Sequence, residues 1–185
     1  MDATEGAVHF ATALQRAGIP HAIGGAIAYG FFGAVHGTHD VDIYLFVPGD
    51  AAGPALDALI AAGLEIDAPL ALATAAERGD ARGRFRGLPV DVFFNSIPVH
   101  DSAATRTKEV MLHGVRLRVL SAEDIAVFKM LFFRGKDLVD VERLLGIMQG
   151  SLDLAYVRAA LLEVVGEDDY RTKKWDELVA QLVSA

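Results

Sequence analysis

Two aspartates one residue apart, Asp40 and Asp42, open the run Asp40-Val41-Asp42-Ile43-Tyr44-Leu45-Phe46-Val47. Its β-branched and aromatic content predicts a strand. Side chains at i and i+2 of a strand point to the same side, so the two carboxylates share one face while Val41, Ile43 and Leu45 share the other. Acids at neighbouring positions on one face repel, and a buried pair holds a proton or a cation. A divalent metal keeps both ionised against an apolar core. Upstream, Gly24-Gly25 ends a short apolar run and precedes a predicted helix over Ala26–Ala34. Paired glycines let backbone approach a ligand with no Cβ in the way. The first turn of that helix adds free N–H groups and the positive end of its dipole, which suits phosphate. A phosphate cradle followed by two metal-holding acids is the layout that grips a nucleoside triphosphate with magnesium.

A third acid, Asp91, lies in Leu88-Pro89-Val90-Asp91-Val92-Phe93-Phe94. Here Val90, Val92 and Phe94 share one strand face and Asp91, Phe93 and Asn95 the other. Alone, Asp91 reads as a solvated outward residue; beside the earlier pair it reads as part of a site, because several weak site features reinforce one another. Further on, Lys129 is flanked by apolar residues in the run from Phe128 to Asp140. It reads either as a lysine snorkelling from a packed helix or as a cation on the triphosphate. Asp137 and Asp140 share a face of the next predicted helix, placed to bind Arg134 or Lys136 in a structural clasp. Trp175 with Tyr170 reads as packing, and His9 and His21 as structural histidines. The chain has no cysteine, which excludes a disulfide framework and thiolate chemistry. Neither a Ser-His-Asp arrangement nor a His-x-x-x-His zinc motif competes with the aspartates.

Gly24-Gly25, the helix after it and Thr38-His39-Asp40-Val41-Asp42 together resemble the signature of the DNA-polymerase-β-like nucleotidyltransferases. Within that superfamily the chain resembles the small bacterial members, the antibiotic nucleotidyltransferases and toxins of the AbiEii kind. The resemblance implies a third carboxylate on a later strand, matched by Asp91, and two magnesium ions held by Asp40, Asp42 and Asp91. It implies nucleotide contacts from Gly24, Gly25, Thr38 and Lys129. The activity it implies is transfer of a nucleoside monophosphate from an NTP to a hydroxyl, on RNA such as tRNA or on a small molecule such as an aminoglycoside. A non-catalytic nucleotide-binding or interaction module with the same fold is the alternative. The toxin branch implies an antitoxin partner. Many relatives carry an arginine a few residues before the aspartate pair, where this chain has His36.

The elements needed to position these residues are legible in the pattern. Helices are expected over Thr4–Ala17, Ala52–Ala62, Ser121 to about Arg134, Lys136–Met148, Leu152–Val165 and Asp169–Val183. Strands are expected over Ile19–Ile23 and Asp40–Val47, with hairpins over Gly83–Asn95 and Lys108–Leu120. Leu64–Leu72 is ambiguous because of Pro69, Thr74–Arg82 reads as a mobile loop, and Ser96–Thr107 as loop. The fold class is α+β, a mixed sheet flanked by helices and followed by a C-terminal helical bundle. Residues 1–120 read as a catalytic core and 121–185 as a helical region packed on it. With 185 residues and 52% hydrophobic content, the chain can bury a full core. No run is apolar enough for a membrane span and no export signal opens the chain, so a cytoplasmic location is expected. The net charge of −8 argues against a general nucleic-acid-coating role but leaves room for a local basic groove. Arg82, Arg84 and Arg86 form one candidate groove; Arg116, Arg118, Lys129, Arg134 and Lys136 form another.

Overall fold

The computed structural model describes residues 2–33 and 37–183, with the side chain of residue 183 excepted. Its centre is a mixed six-stranded sheet in the order β3-β4-β2-β1-β6-β5. The strands are β1 (His21–Ile23), β2 (Val41–Pro48), β3 (Asp80–Phe85), β4 (Leu88–Asn95), β5 (Lys108–Leu112) and β6 (Val115–Val119). β2 runs antiparallel to β1 and parallel to β4, and hairpins add β3 and β5 to the two outer positions. Around it lie α1 (Ala3–Arg16), α2 (Gly25–Gly30), α3 (Gly53–Ala61), α4 (Ala68–Arg78) and α5 (Pro98–Arg106), then α6 (Ala122–Phe132), α7 (Gly135–Ile147), α8 (Leu154–Val165) and α9 (Tyr170–Val183). This is the α+β arrangement expected. Among the described residues no helix is long and apolar enough to cross a membrane.

The alternation along β2 and β4 divides the sheet. Val41, Ile43, Leu45, Val90, Val92 and Phe94 are fully buried on one face. On that side α1 sets Phe10 against Phe85, ring centroids 4.8 Å apart. Asp42 and Tyr44 of β2, with Asp91 and Phe93 of β4, look to the other face. There the Tyr44 ring meets Phe93 at 4.7 Å and Phe128 of α6 at 4.8 Å. Each buried aromatic removes enough apolar surface to contribute about 2–3 kcal/mol. His9 stacks on Phe85 at 4.7 Å and meets the carbonyl of Ala62 at 2.7 Å, a packing role as expected.

Four expectations are corrected. Pro69, read as a breaker, sits in the first turn of α4, where its missing N–H costs nothing. Asp67 caps that turn by accepting from the Leu70 amide at 3.0 Å. The supposed loop Thr74–Arg82 is therefore the end of α4, a left-handed Gly79 cap (φ 78°) and the start of β3. Ser96–Thr107 contains α5, again with proline in its first turn. Its Val99 and Ala103 are buried, and His100 packs 5.1 Å from Phe128. Burial drives the His100 pKa down to about 4, and its Nδ1 accepts from the Ser96 and Ile97 amides at 3.4 Å. α2 is also shorter than Ala26–Ala34, closing at Gly30.

Candidate active site

β1 delivers the chain to Gly24, whose amide donates to the Asp42 carbonyl at 2.9 Å. This bond fixes the turn over the start of β2. A Cβ on Gly24 would run into the Tyr44 ring, and a Cβ on Gly25 into the Asp42 carboxylate; Gly25 also has φ +55°. Both glycines are thus required by close approach, and the second lays bare backbone directly on an acid.

Parallel pairing of β2 with β4 places Asp42 beside Asp91, and antiparallel pairing of β4 with β3 places Asp91 beside Arg82. One row across three strands therefore reads acid, acid, cation. Arg82 Nε lies 3.4 Å from Asp91 Oδ1. Asp40, just ahead of β2, accepts from the Thr38 hydroxyl. All three aspartates line one cleft of about 790 Å³, together with Gly25 and Ala26. The acids feel one another: burial first, then the charges of Asp40 and Asp91, push the Asp42 pKa up to about 7. Burial also raises Asp91, against the opposing pull of Arg82.

The cationic side of the cleft comes from the turn between α6 and α7. Lys129 Nζ lies 2.6 Å from Asp140 Oδ2 and 3.7 Å from Asp137 Oδ1. Arg134 grips Asp137 with two bonds, Nε to Oδ2 at 2.6 Å and the terminal nitrogen to Oδ1 at 3.1 Å. Those contacts raise the Arg134 pKa. The clasp expected of Asp137 and Asp140 exists, and it holds Lys129 as well as Arg134. Tyr29 of α2 joins it, donating from its hydroxyl to the Asp140 carbonyl at 2.9 Å.

The structure thus brings Gly25, Thr38, Asp40, Asp42, Asp91 and Lys129 to one cleft. Gly24 stands behind it, packed on Tyr44. The second basic group divides. Lys129, Arg134 and Lys136 line the acid cleft, whereas Arg116 and Arg118 line a separate cavity with His21. That histidine is buried and bonds the Ile19 carbonyl through Nδ1 at 2.7 Å, a strand-end role. Trp175 is 1% exposed, so it packs. His36 lies outside the described residues. Arg143, which also lines the cleft, was not singled out from the sequence; its position three residues beyond Asp140, on the same side of α7, was the available signal.

Among the described residues no three acid or histidine side chains converge closely enough to form a ready metal shell. Asp40 is turned to Thr38 and Asp91 to Arg82. The three aspartates expected to hold magnesium therefore form an open row of carboxylates. Its chemistry still fits a hard divalent cation: the donors are all carboxylate oxygens, and the burial and neighbouring negative charge that lift Asp42 are what such an ion offsets.

No family model and no curated protein matches the chain. Solved structures do. The antibiotic-resistance factor ANT(2'')-Ia in solution superposes with a TM-score of 0.60 at 15% identity, over 100% of both chains. The chain has the nucleotidyltransferase fold. A crystal structure of ANT(2'')-Ia with adenylyl-2''-tobramycin aligns at TM-score 0.56 and 13% identity, over 98% of this chain and 97% of that one. An antigenic nucleotidyltransferase-like protein from Paracoccidioides brasiliensis aligns at 0.52 and 17% identity, over 98% and 92%. The resemblance drawn from Gly24-Gly25 and the aspartates and the likeness of backbone lead to one fold by separate routes.

Proposed function

We propose that the protein transfers a nucleoside monophosphate from an NTP to a hydroxyl acceptor with the help of divalent metal. The carrying observation is the pairing of Asp42 with Asp91 on adjacent strands beneath the bare backbone of Gly25, with Asp40 in the same cleft. Residues 1–120 supply the three aspartates, the glycines and Arg82, and residues 121–185 supply Lys129 and Arg134.

In this reading Asp40, Asp42 and Asp91 would hold magnesium, which would supply charge neutralisation to the transferring phosphate. Lys129 and Arg134, aimed by their aspartate partners, bind the triphosphate oxygens. Gly25 and Ala26 offer backbone to the phosphates, and Thr38 orients Asp40. The acceptor hydroxyl oxygen bonds to the α-phosphorus while the bond from that phosphorus to the bridging oxygen of pyrophosphate breaks. Asp91 orients the hydroxyl and takes its proton. Positioning and charge carry such a transfer, so no nucleophilic side chain is needed. ANT(2'')-Ia with its adenylylated tobramycin shows a small-molecule product on this fold.

The test is pyrophosphate release with magnesium, each of the four NTPs, and pools of RNA and of aminoglycosides. Release that needs magnesium and falls at least 100-fold in Asp42→Asn is expected. Calorimetry of magnesium with a non-hydrolysable triphosphate is run beside it. Tight binding without turnover would assign the chain to the non-catalytic alternative, and no metal-dependent binding at all would overturn both.

A further inference from the structure

We infer that the cavity at the far end of β1 and β6 from the aspartates is a binding site for a small oxyanion that keeps a hydroxyl, inorganic phosphate being the simplest. It stands apart from the nucleotidyl-transfer reading, since no residue lining it lines the aspartate cleft. β1 and β6 run parallel and pair in register only at Ile23 and Val119. Towards their starts they part, and Gln15 of α1 spans the gap, its side-chain amide donating to the Arg116 carbonyl at 3.1 Å. The cavity left there measures about 460 Å³, with His21, Arg116 and Arg118 among its walls. β1 leads from His21 to Gly24, and β6 leads from Arg118 to Ser121. Cavity and cleft therefore occupy opposite ends of the same two strands.

The ring of His21 sets the chemistry. It is 7% exposed, and its Nδ1 is committed to the Ile19 carbonyl at 2.7 Å. A carbonyl has no proton to give, so Nδ1 carries the hydrogen of that bond. Burial, and to a lesser degree the charge of Arg118, hold the ring below its ordinary pKa against the pull of that bond. The neutral ring therefore presents a lone pair at Nε2. Among the described residues Nε2 meets no partner. A buried acceptor without a donor costs free energy that a ligand hydroxyl would recover.

The charge comes from Arg118. Its guanidinium is exposed and makes no hydrogen bond or ion pair among the described residues. Glu109, the acid of the cavity wall, lies opposite Arg118 in the β5–β6 ladder, but its carboxylate turns diagonally to Arg116 at 3.6 Å. Arg116 is thus matched, and Arg118 is the cation left for a ligand. A molecule suited to both groups gives a hydrogen to Nε2 and presents anionic oxygen to a guanidinium. Hydrogen phosphate has both on one centre at neutral pH. Sulfate has the shape and the charge without the hydrogen, and Arg118 turns away a cation.

Calorimetry of inorganic phosphate into the full chain at neutral pH, without nucleotide or metal, tests this, with sulfate and ribose 5-phosphate run in parallel. Saturable phosphate binding is expected, with sulfate at least tenfold weaker on the strength of the lost hydrogen bond. Arg118→Gln, a surface change, and His21→Phe, which keeps a ring in the buried position, should each weaken phosphate at least tenfold. Circular dichroism checks the folding of both, and Arg118→Gln decides if His21→Phe fails to fold. Tighter binding of ribose 5-phosphate would assign the remaining volume to a sugar; equal affinity would assign the site to the phosphate group alone. In histidine-labelled protein the His21 Nε2 resonance, identified by its loss in His21→Phe, should move with phosphate. His39 lines the aspartate cleft and serves as the internal control, which should stay still. A response at His39 in place of His21 would put the phosphate in the cleft and overturn the proposal. So would sulfate bound as tightly as phosphate, unchanged phosphate affinity in Arg118→Gln, or no saturable binding at all.

Discussion

Asp42 concentrates the electrostatics of the cleft. Its carboxyl is pressed by Gly25 from above and faces Asp91 across one strand gap, and burial with the neighbouring acids raises its pKa to about 7. An unfolded chain releases that proton near pH 3.9. Between those values the folded state holds a proton that the unfolded state has lost, so stability of the metal-free protein falls as pH rises from about 4 to 7 and then levels. The full shift would be worth about 4 kcal/mol; residual solvent access to the carboxyl trims this to about 2 kcal/mol. In chelator, Asp42→Asn should therefore match the parent near pH 4 and exceed it by about 2 kcal/mol at pH 8. Urea unfolding at the two pH values checks this, and an equal difference at both would remove the acid cluster as its cause. The acids and the glycine pair were readable because a two-residue period and a missing Cβ are local properties. The pairing of Asp91 with Arg82 was not, because it depends on which strands become neighbours.

At the scale of elements, the α6–α7 turn converts two acids into a mount for two cations. Ser121 starts α6 by accepting from the Asp124 amide at 3.1 Å, and Phe133 ends it in a left-handed conformation (φ 56°). Arg134 then caps α7. That sharp end brings Asp137 and Asp140 back under Lys129, whose side chain is only 12% exposed. Removing one partner of a nearly buried ion pair leaves the other uncompensated. Asp140→Asn should lower stability by about 1–2 kcal/mol and weaken metal–triphosphate binding several-fold, because Lys129 loses its aim. Pairing Lys129→Met with Asp140→Leu separates the two effects: stability should return, and triphosphate binding should not. Recovery of both would make the clasp structural alone. The hairpins and the capped α6 were legible because turn and cap residues mark their ends. α4 and α5 were not: Pro69 left the start of α4 ambiguous, and the burial of both helices rests on small residues such as Ala71, Ala75 and Ala103, which carry little hydrophobic signal.

Over the whole molecule, both parts of an acidic chain contribute to one cleft. The sheet supplies the acids and the helices after Ser121 supply Lys129 and Arg134, so the cleft is complete only when both parts are folded together. One buried cluster runs through both, from Phe10 and Ile43 to Leu144 and Trp175. The change of pattern near Ser121 was visible in the sequence; the continuity of the core was not, because contacts such as Tyr29 with Asp140 join residues 111 positions apart. Cooperative unfolding of both parts follows. Trp175, the sole tryptophan, reports on α9, and hydrogen exchange of peptides from β2 and β4 reports on the sheet. Their midpoints in denaturant should coincide. A non-hydrolysable triphosphate with magnesium at 100 times its dissociation constant should stabilise both by about 2.7 kcal/mol, or roughly 5–10 °C in Tm for a chain of this size. A tryptophan transition that comes earlier and ignores the ligand would mean that the helical part folds apart from the cleft, and the cations of α6 and α7 would then have no mount from which to act.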